Sequence, residues 1–333
     1  MRAIEVAEES GVAEARRVAT RIAGEIGWDE TEAGRLAIVV TELATNLVKH
    51  ARGGRLLVGV FDDDAGAGVE CIALDRGPGI ADLDAAMADG YSTAGSAGSG
   101  LGAIARLSHA MDVYTRPGQG AAILARLQKG DPARARPAPA PAFGAVSLPM
   151  PGEEACGDAW RVKRRPDGLR LLVVDGLGHG PLAATAAHAA ARAFEASDGE
   201  ATPELMARLH QALRPTRGAA ASVVAMPDGA PSVVFIGVGN VAGIALSDLE
   251  AKRMVSFNGT LGHSLKTVRP FVYPTAGETL VVLASDGLLT NWSLDPYPGL
   301  RRRHPTLIAA VLCRDFDRGR DDVTVLVARR PAS

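Results

Sequence analysis

The sequence is poor in the features that mark secreted, membrane-spanning or nucleic-acid-binding proteins. Cysteine is scarce: Cys71, Cys156 and Cys313 are the three present in 333 residues. They are widely spaced and form no CxxC pair, so neither a disulfide framework nor a thiolate zinc site is indicated, and a reducing cytoplasm fits. No apolar run approaches the about 18 residues of a membrane helix. The N-terminal segment carries Glu5, Glu8 and Glu9 in place of a basic stretch and apolar core, so the expectation is a cytoplasmic chain, neither secreted nor membrane-bound. An excess of one charge is missing too: 36 Lys and Arg stand against 38 Asp and Glu, a net charge of -2. That balance gives no general attraction to nucleic acid or anionic membrane, so partners are sought among proteins and small molecules. Aromatic residues make up 4%, and Trp160, Trp292 and Tyr297 read as packing residues.

What is present is ordinary for a folded chain: 47% hydrophobic and 22% charged residues, at a length that suggests two domains of about 130 to 190 residues. The boundary is the stretch KGDPARARPAPAPAF from Lys129 to Phe143, where repeated Ala-Pro steps disfavour helix and remove sheet donors. The expected domains are therefore residues 1–128 and 143–333, joined by a Pro/Ala-rich linker at 129–142. Before the linker the pattern predicts helices over Val6–Ile26 and Glu30–Ala51 and strands over Arg55–Phe61 and Val69–Leu74. A short helix, a glycine-rich loop, a helix over Leu101–Ala110 and two further strands follow. After it, β-rich runs such as LRLLVV, ASVVAM, SVVFIGV and TLVVLAS are interrupted by helical segments near Pro181–Ala196 and Pro203–Leu213.

Three short segments in the first half carry chemistry. In TELATNLVKHA, Glu42 and Asn46 are four apart and share a helical face. A carboxylate placed as a base and an amide oxygen that can hold magnesium would then point into one cleft. Alone, the same residues read better as a solvated Glu and a hydrogen-bonded Asn. The run CIAL ends at Asp75 and continues RGPGI, so Asp75 can accept a hydrogen bond from an adenine amino group beside Gly77 and Gly79; alone, this is a tight turn. AGSAGSGLG, from Ala94 to Gly102, offers backbone N–H groups to phosphates.

In this order and spacing the three segments resemble the N box and the two glycine boxes of the GHKL ATPases, over nearly all of residues 1–128. The continuation IALDRGPGIADLDAAMADGYSTAG looks most similar to the RsbT-like switch kinases of the bacterial stressosome. The resemblance implies a GHKL α/β sandwich and an ATP- and Mg2+-dependent serine/threonine kinase acting on a STAS-domain protein. It further implies Glu42 as catalytic base, Asn46 as magnesium ligand and Asp75 as the adenine contact. Gly77, Gly79 and the GSGLG residues Gly98, Gly100, Leu101 and Gly102 would shape the nucleotide pocket. One departure is that GQGAAILARL places Ala121 and Ala122 where the family carries a Thr beside the adenine. A histidine kinase is disfavoured, since no histidine lies in a dimerisation helix upstream; His50 and His109 read as structural.

In the second half, Asp158 in CGDAW, Asp175 in VVDGLGHG, Asp286 in LASDGLL and the pair Asp321-Asp322 recur, three of these four positions beside strongly apolar strands. Each Asp-Gly alone is a turn. Together they suggest hard oxygen ligands for magnesium or manganese, of the kind that activates water against a phosphate ester. They resemble the protein phosphatase 2C class, in its SpoIIE and RsbX branch, over about residues 143–330. The resemblance implies an α-β-β-α sandwich holding two Mn2+ or Mg2+ ions. Asp158, Asp175, the Gly176 carbonyl, Asp286 and Asp321 would be ligands, with Asp322 in a neighbouring polar position. His179 is a possible phosphate contact or a solvent-facing turn residue, and no arginine is assigned to clamp the phosphate. The basic run Arg161, Lys163, Arg164 and Arg165 reads as a solvated strand edge.

The chain as a whole is thus expected to be an α+β, two-domain signalling regulator that phosphorylates and dephosphorylates the same or a related STAS-domain partner. Two alternatives stand beside it: a nucleotide-dependent, anti-sigma-like binding module fused to an active phosphatase, and an ATPase whose hydrolysis times partner release.

Overall fold

A computed structural model describes residues 1–63, 66–87, 100–134, 142–247 and 250–330. The chain is α+β, every pairing between its strands is antiparallel, and it divides into two units. The first comprises Met1–Pro141 and Tyr297–Arg314, the second Ala142–Pro296 and Asp315–Ser333.

The first unit runs β1 (Arg2–Val6), α1 (Glu9–Glu25), α2 (Glu30–Ala51), β2 (Gly54–Asp63), β3 (Gly66–Leu74), α3 (Leu83–Met87), α4 (Leu101–Leu107), β4 (Ala110–Thr115) and β5 (Ala121–Gln128). Its sheet has the order β1-β2-β3-β5-β4. Helix α2 starts where the chain can start it: Asp29 accepts from the Glu32 N–H at 2.8 Å and Glu32 Oε2 accepts from the Asp29 N–H at 3.2 Å, a capping box contributing about 1 kcal/mol. Its apolar stripe, Leu36, Val39, Val40, Leu43 and Leu47, is buried against Ala15, Ala19 and Ile22 of α1 and Val58, Val69 and Cys71 of the sheet. Packing on that stripe turns the Glu42–Asn46 face away from the core.

Two boundaries differ from expectation. The first helix begins at Glu9, because Arg2–Val6 pairs as an edge strand with β2, from Arg2↔Val58 to Val6↔Gly54. The helix after the glycine loop ends at Leu107, because Ala110 already pairs with Arg126 across the β4–β5 ladder. His109 sits at that corner and accepts from the Gln128 N–H at 3.0 Å.

The second unit runs β6 (Phe143–Leu148), β7 (Asp158–Arg165), β8 (Gly168–Gly176), α5 (Gly180–Glu195), α6 (Pro203–Leu213), β9 (Ala219–Pro227), β10 (Ser232–Val238), β11 (Ala242–Leu246), β12 (Ala251–Met254), β13 (Phe271–Pro274), β14 (Thr279–Ala284) and β15 (Val323–Arg330). Helix α7 (Pro305–Phe316), which the sequence pattern did not predict, begins in the segment belonging to the first unit. One sheet has the order β13-β10-β9-β8-β7, the other β12-β11-β14-β15-β6. Leu171, Val173, Val224 and Phe235 of the first sheet meet Val281, Leu283, Leu326 and Ala328 of the second in a single apolar layer. The opposite face of the first sheet, with Leu172, Val174, Ala221 and Val223, is covered by Ala187, Ala190, Leu205 and Leu209 of α5 and α6. The alanine-rich face of α5 suits this role, since small side chains let the helix approach the sheet closely.

The expected boundaries treat residues 143–333 as continuous, whereas Tyr297–Arg314 lies with the first unit. Asp112 of β4 fixes it there, accepting from the His304 N–H at 2.6 Å and from Arg303 at 3.1 Å. The Tyr297 ring lies 6.4 Å from that of Tyr114. The start of the linker is also tied down: Arg35 of α2 donates to the Gln128 carbonyl at 2.8 Å and to that of Gly130. The basic run of β7 is structural, with Lys163 donating to the Glu195 carbonyl at 2.8 Å, Arg161 paired with Glu195 and Arg165 with Asp198.

Candidate functional site

In the first unit the site grows from the Asp75 turn. Asp75 ends β3 half-buried, and its Oδ1 accepts from the Gly77 N–H at 2.8 Å and the Ala121 N–H at 3.2 Å. Among the described residues its Oδ2 has no hydrogen-bond partner. The turn has no room for a side chain at either glycine: a Cβ on Gly77 would lie 2.8 Å from Ala51 Cα, and Gly79 has φ +72° with the Arg116 carbonyl 2.3 Å from where its Cβ would be. Gly77 and Gly79 are therefore required by the fold of the turn, which brings the DRGPGI backbone against the end of α2.

Sequence reasoning missed three residues here. The Thr115 hydroxyl accepts from the Ile80 N–H at 2.8 Å and sits across the ladder from Ala121. The hydroxyl absent from positions 121 and 122 thus exists nearby, but it holds the loop. Gly120, at φ +78°, has the Asp75 carbonyl 2.1 Å from a hypothetical Cβ. Arg314 donates to the carbonyls of Asp75 at 3.0 Å and Ala121 at 3.4 Å, and Arg76 donates to the Arg314 carbonyl. No motif signals Arg314, because its partner is backbone far away in sequence.

Glu42 and Asn46 are half-buried on the face of α2 beside its apolar stripe. Gly100 opens α4 with no side-chain cap, followed by Leu101 and Gly102, both buried. Gly98 lies outside the described residues.

The second unit gathers its acids from strand ends. Asp158 at the start of β7 faces Asp175 near the end of β8 in the ladder. Asp286 follows β14 and Asp321-Asp322 precede β15, neighbours in the other sheet. Ser285 donates to Asp158 Oδ2 at 2.7 Å and accepts from the Thr324 N–H at 2.9 Å, linking the two sheets at this point. Burial, reinforced by Asp158, Asp286 and Asp321, pushes Asp175 up to about 8. Burial likewise lifts Asp158 to about 7 against the pull of hydrogen bonds from Ser285 and Thr324. Asp322 is also raised, by burial first, against the pull of the Met150 N–H, which donates to its Oδ1 at 2.9 Å.

These acids fit a hard cation in kind, all being oxygen donors. Asp175 Oδ2 and Asp322 Oδ2 are buried without a hydrogen-bond partner, a costly arrangement that a cation relieves. Among the described residues, however, no three His, Cys, Asp or Glu side chains converge tightly enough to hold a metal as they stand. The cluster is coupled through its field rather than closed as a ligand set. Asp286 Oδ2 accepts from Asn240 at 2.6 Å, and Asp321 Oδ1 accepts from the Asp322 N–H at 2.9 Å. Asn240 and Ser285 are orienting residues that sequence reasoning did not assign. Gly176 donates to the Gly157 carbonyl at 3.1 Å, and a Cβ on it would lie 2.3 Å from the Ala183 carbonyl. His179 is exposed and its Nδ1 is 2.6 Å from Glu153 Oε1.

Perturbation by itself does not mark a site. Glu70 is pushed up to about 7 by burial, yet it is paired with Arg126 at 3.0 Å inside the first unit and touches neither cluster.

The fold and the two clusters define a class: a nucleotide-site α/β sandwich joined to a two-sheet sandwich with acidic strand ends. Residues 6–127 match the histidine kinase-like ATPase domain family. Over 122 residues the chain is 31% identical to the serine/threonine-protein kinase RsbT of Bacillus subtilis (strain 168), spanning 37% of this chain and 92% of RsbT. Through this region the chain belongs to the RsbT family of histidine kinase-like ATPase domains. It is also similar to a chain solved in a study of the bacterial stressosome as a modular system adapted to control secondary messenger signalling, with 30% identity and a TM-score of 0.53 over 56% of this chain and 98% of that one. RsbX in complex with magnesium is similar at 24% identity and a TM-score of 0.47, over 56% and 92% of the two chains.

Proposed function

We propose that this chain is a bifunctional signalling regulator: its first domain phosphorylates a Ser or Thr of a STAS-domain protein with ATP, and its second removes phosphate from the same or a related protein. The observation that carries the reading is the presence, in one polypeptide, of an RsbT-family nucleotide site and a separate acidic cluster with two orphaned carboxylate oxygens. Opposed activities on one tether act at high effective concentration on a shared partner, which suits a reversible switch.

In the kinase domain, Glu42 would accept the proton of the attacking hydroxyl, Asn46 would hold magnesium, and Asp75 Oδ2 would receive the adenine amino group. The Gly77 and Gly79 turn and the Gly100 to Gly102 backbone would border the nucleotide, with Gly98 assigned to the same role from the motif alone. In the phosphatase domain, Asp158, Asp175, Asp286, Asp321 and the Gly176 carbonyl are the residues that would hold two divalent cations. When bound, such ions supply charge neutralisation and an acidified water. Ser285 donates to Asp158 and Asn240 to Asp286, which restrains both carboxylates.

With γ-labelled ATP, magnesium and a STAS-domain protein, the purified chain is expected to label the partner on Ser or Thr, and manganese without ATP is expected to release that label. A second reading is favoured by one observation: Ala121 and Ala122 offer no hydroxyl beside the adenine position, and both are buried. There the first domain binds nucleotide and partner without transfer, in anti-sigma fashion. Nucleotide-dependent partner binding with no label transfer would establish that reading. Inorganic phosphate released with no labelled protein would indicate a simple ATPase.

A further inference from the structure

The phosphatase resemblance leaves the substrate phosphate without a cationic clamp, and the sequence offers none near the start of the domain. The structure brings one from elsewhere. Arg217 precedes β9, whose first residues pair with the end of β8 as Ala219↔Gly176 and Ala220↔Asp175. One step further out, the Leu177 N–H donates to the Gly218 carbonyl at 3.1 Å, so the chain at Arg217 runs alongside the DGLGHG loop that follows Asp175. Gly178, at φ +79°, has no side chain, and Arg217 Nη1 lies 3.2 Å from where its Cβ would be. One terminal nitrogen of the guanidinium therefore reaches the bare side of that loop.

The backbone that presents it is fixed. His263 Nε2 bonds the Arg217 carbonyl at 2.7 Å, and the Gly218 N–H donates to the Thr216 hydroxyl at 3.0 Å. Gly218 has φ +82°, and a Cβ there would meet both His263 Cδ2 and the Leu261 carbonyl at 2.6 Å. Yet the exposed Arg217 side chain donates no hydrogen bond and makes no ion pair among the described residues, although carboxylates are gathered in the same loop region. A planar guanidinium on a rigid backbone, with its donors unspent, suits bidentate recognition of a tetrahedral anion. A phosphate monoester dianion approaching an acid-lined site also needs a counter-charge of this kind beyond any bound cation.

We infer that Arg217 binds the phosphoryl oxygens of the substrate phosphoserine or phosphothreonine, with Gly178 left bare to let its guanidinium lie across the loop. This assignment rests on the phosphatase reading and deepens it. The sequence hid it because TRG reads as a turn and the pairing with the Asp175 loop is made by β-sheet register alone.

The test compares wild type, Arg217→Ala and Arg217→Lys in the full chain with manganese. KM for p-nitrophenyl phosphate and the inhibition constant of inorganic phosphate are expected to rise about tenfold to a hundredfold in Arg217→Ala and less in Arg217→Lys. Manganese affinity by titration calorimetry and thermal unfolding are expected to match wild type, which a merely structural arginine would not allow. Both constants staying within twofold of wild type, or manganese affinity falling in step with them, overturns the assignment. If wild type hydrolyses no phosphate ester with any divalent cation, the phosphatase reading falls. Calorimetric binding of inorganic phosphate to the manganese-loaded proteins then still decides the role of Arg217: equal binding by wild type and Arg217→Ala, or none by wild type, refutes it.

Discussion

The two candidate sites solve the problem of placing a carboxylate in opposite ways. At the nucleotide site Asp75 is half-buried and already satisfied on one oxygen by two backbone N–H groups, and Arg314 braces the carbonyls around it. In the second unit Asp158 and Asp175 face each other across a ladder, both are raised, and two oxygens of the cluster have no partner. The first site is organised by its own hydrogen bonds. The second is held together by backbone against its own electrostatics, a tension that a divalent cation would resolve.

The largest effect that would break this contrast comes from Asp175. Asp175→Ala is expected to lower manganese-dependent phosphate release by about a thousandfold or more, since the stabilisation at stake is several kcal/mol. Phosphate incorporation into the partner should be untouched. Glu42→Ala is the converse: incorporation falls about 10²- to 10⁴-fold while nucleotide still binds and phosphate release persists. Unchanged labelling by Glu42→Ala would remove the base assignment.

The electrostatic half of the contrast predicts a pH dependence. Asp158 and Asp175 bind protons more tightly when folded, up to about 7 and about 8 against an ordinary value of 3.8. Between those limits the folded state holds the more protons, so without divalent cations the second unit should lose stability as pH rises from about 4 to about 8. Manganese should flatten or reverse the slope. Thermal unfolding followed across that range, with and without the metal, reads this directly, and a stability that climbs with pH in its absence would contradict it.

Smaller effects sharpen the nucleotide side. Asp75→Ala should weaken ATP binding by about tenfold or more through loss of the adenine acceptor and the turn it organises, leaving manganese-dependent release intact. Thr115→Val strips the Ile80 N–H of its acceptor. About 1 kcal/mol or somewhat more of stability should go with it, with a modest rise in the nucleotide dissociation constant.

Legibility in the sequence follows the same divide. Glu42 and Asn46 are four apart on one helix, and Asp75, Gly77 and Gly79 fall within one turn, so their grouping is local and a motif captures it. Arg314, Thr115 and Gly120 serve the same turn from other elements, and nothing near them in the chain announces it. In the second half the Asp-Gly steps at strand ends were visible one at a time. Ser285, Asn240 and Arg217 were not, because their partners are set by which strands neighbour one another. The edge strand β1 and helix α7 were missed for related reasons: five alternating residues run into a helical pattern, and LIAAVLCR is apolar on every side, so periodicity is silent.

The sequence by itself determined the core stripes of α2 and the apolar strands, and the residue types available for nucleotide and cation chemistry. These depend on composition and on periods of 3.6 and 2 residues, which are local properties of a chain. Only the tertiary structure decided that Asp158 opposes Asp175, that two carboxylate oxygens are left without partners, that Tyr297–Arg314 belongs with the first unit, and that Arg217 lies on Gly178. Each of these depends on strand register or on contacts between residues far apart in sequence, where a single-residue slip would face every side chain the other way.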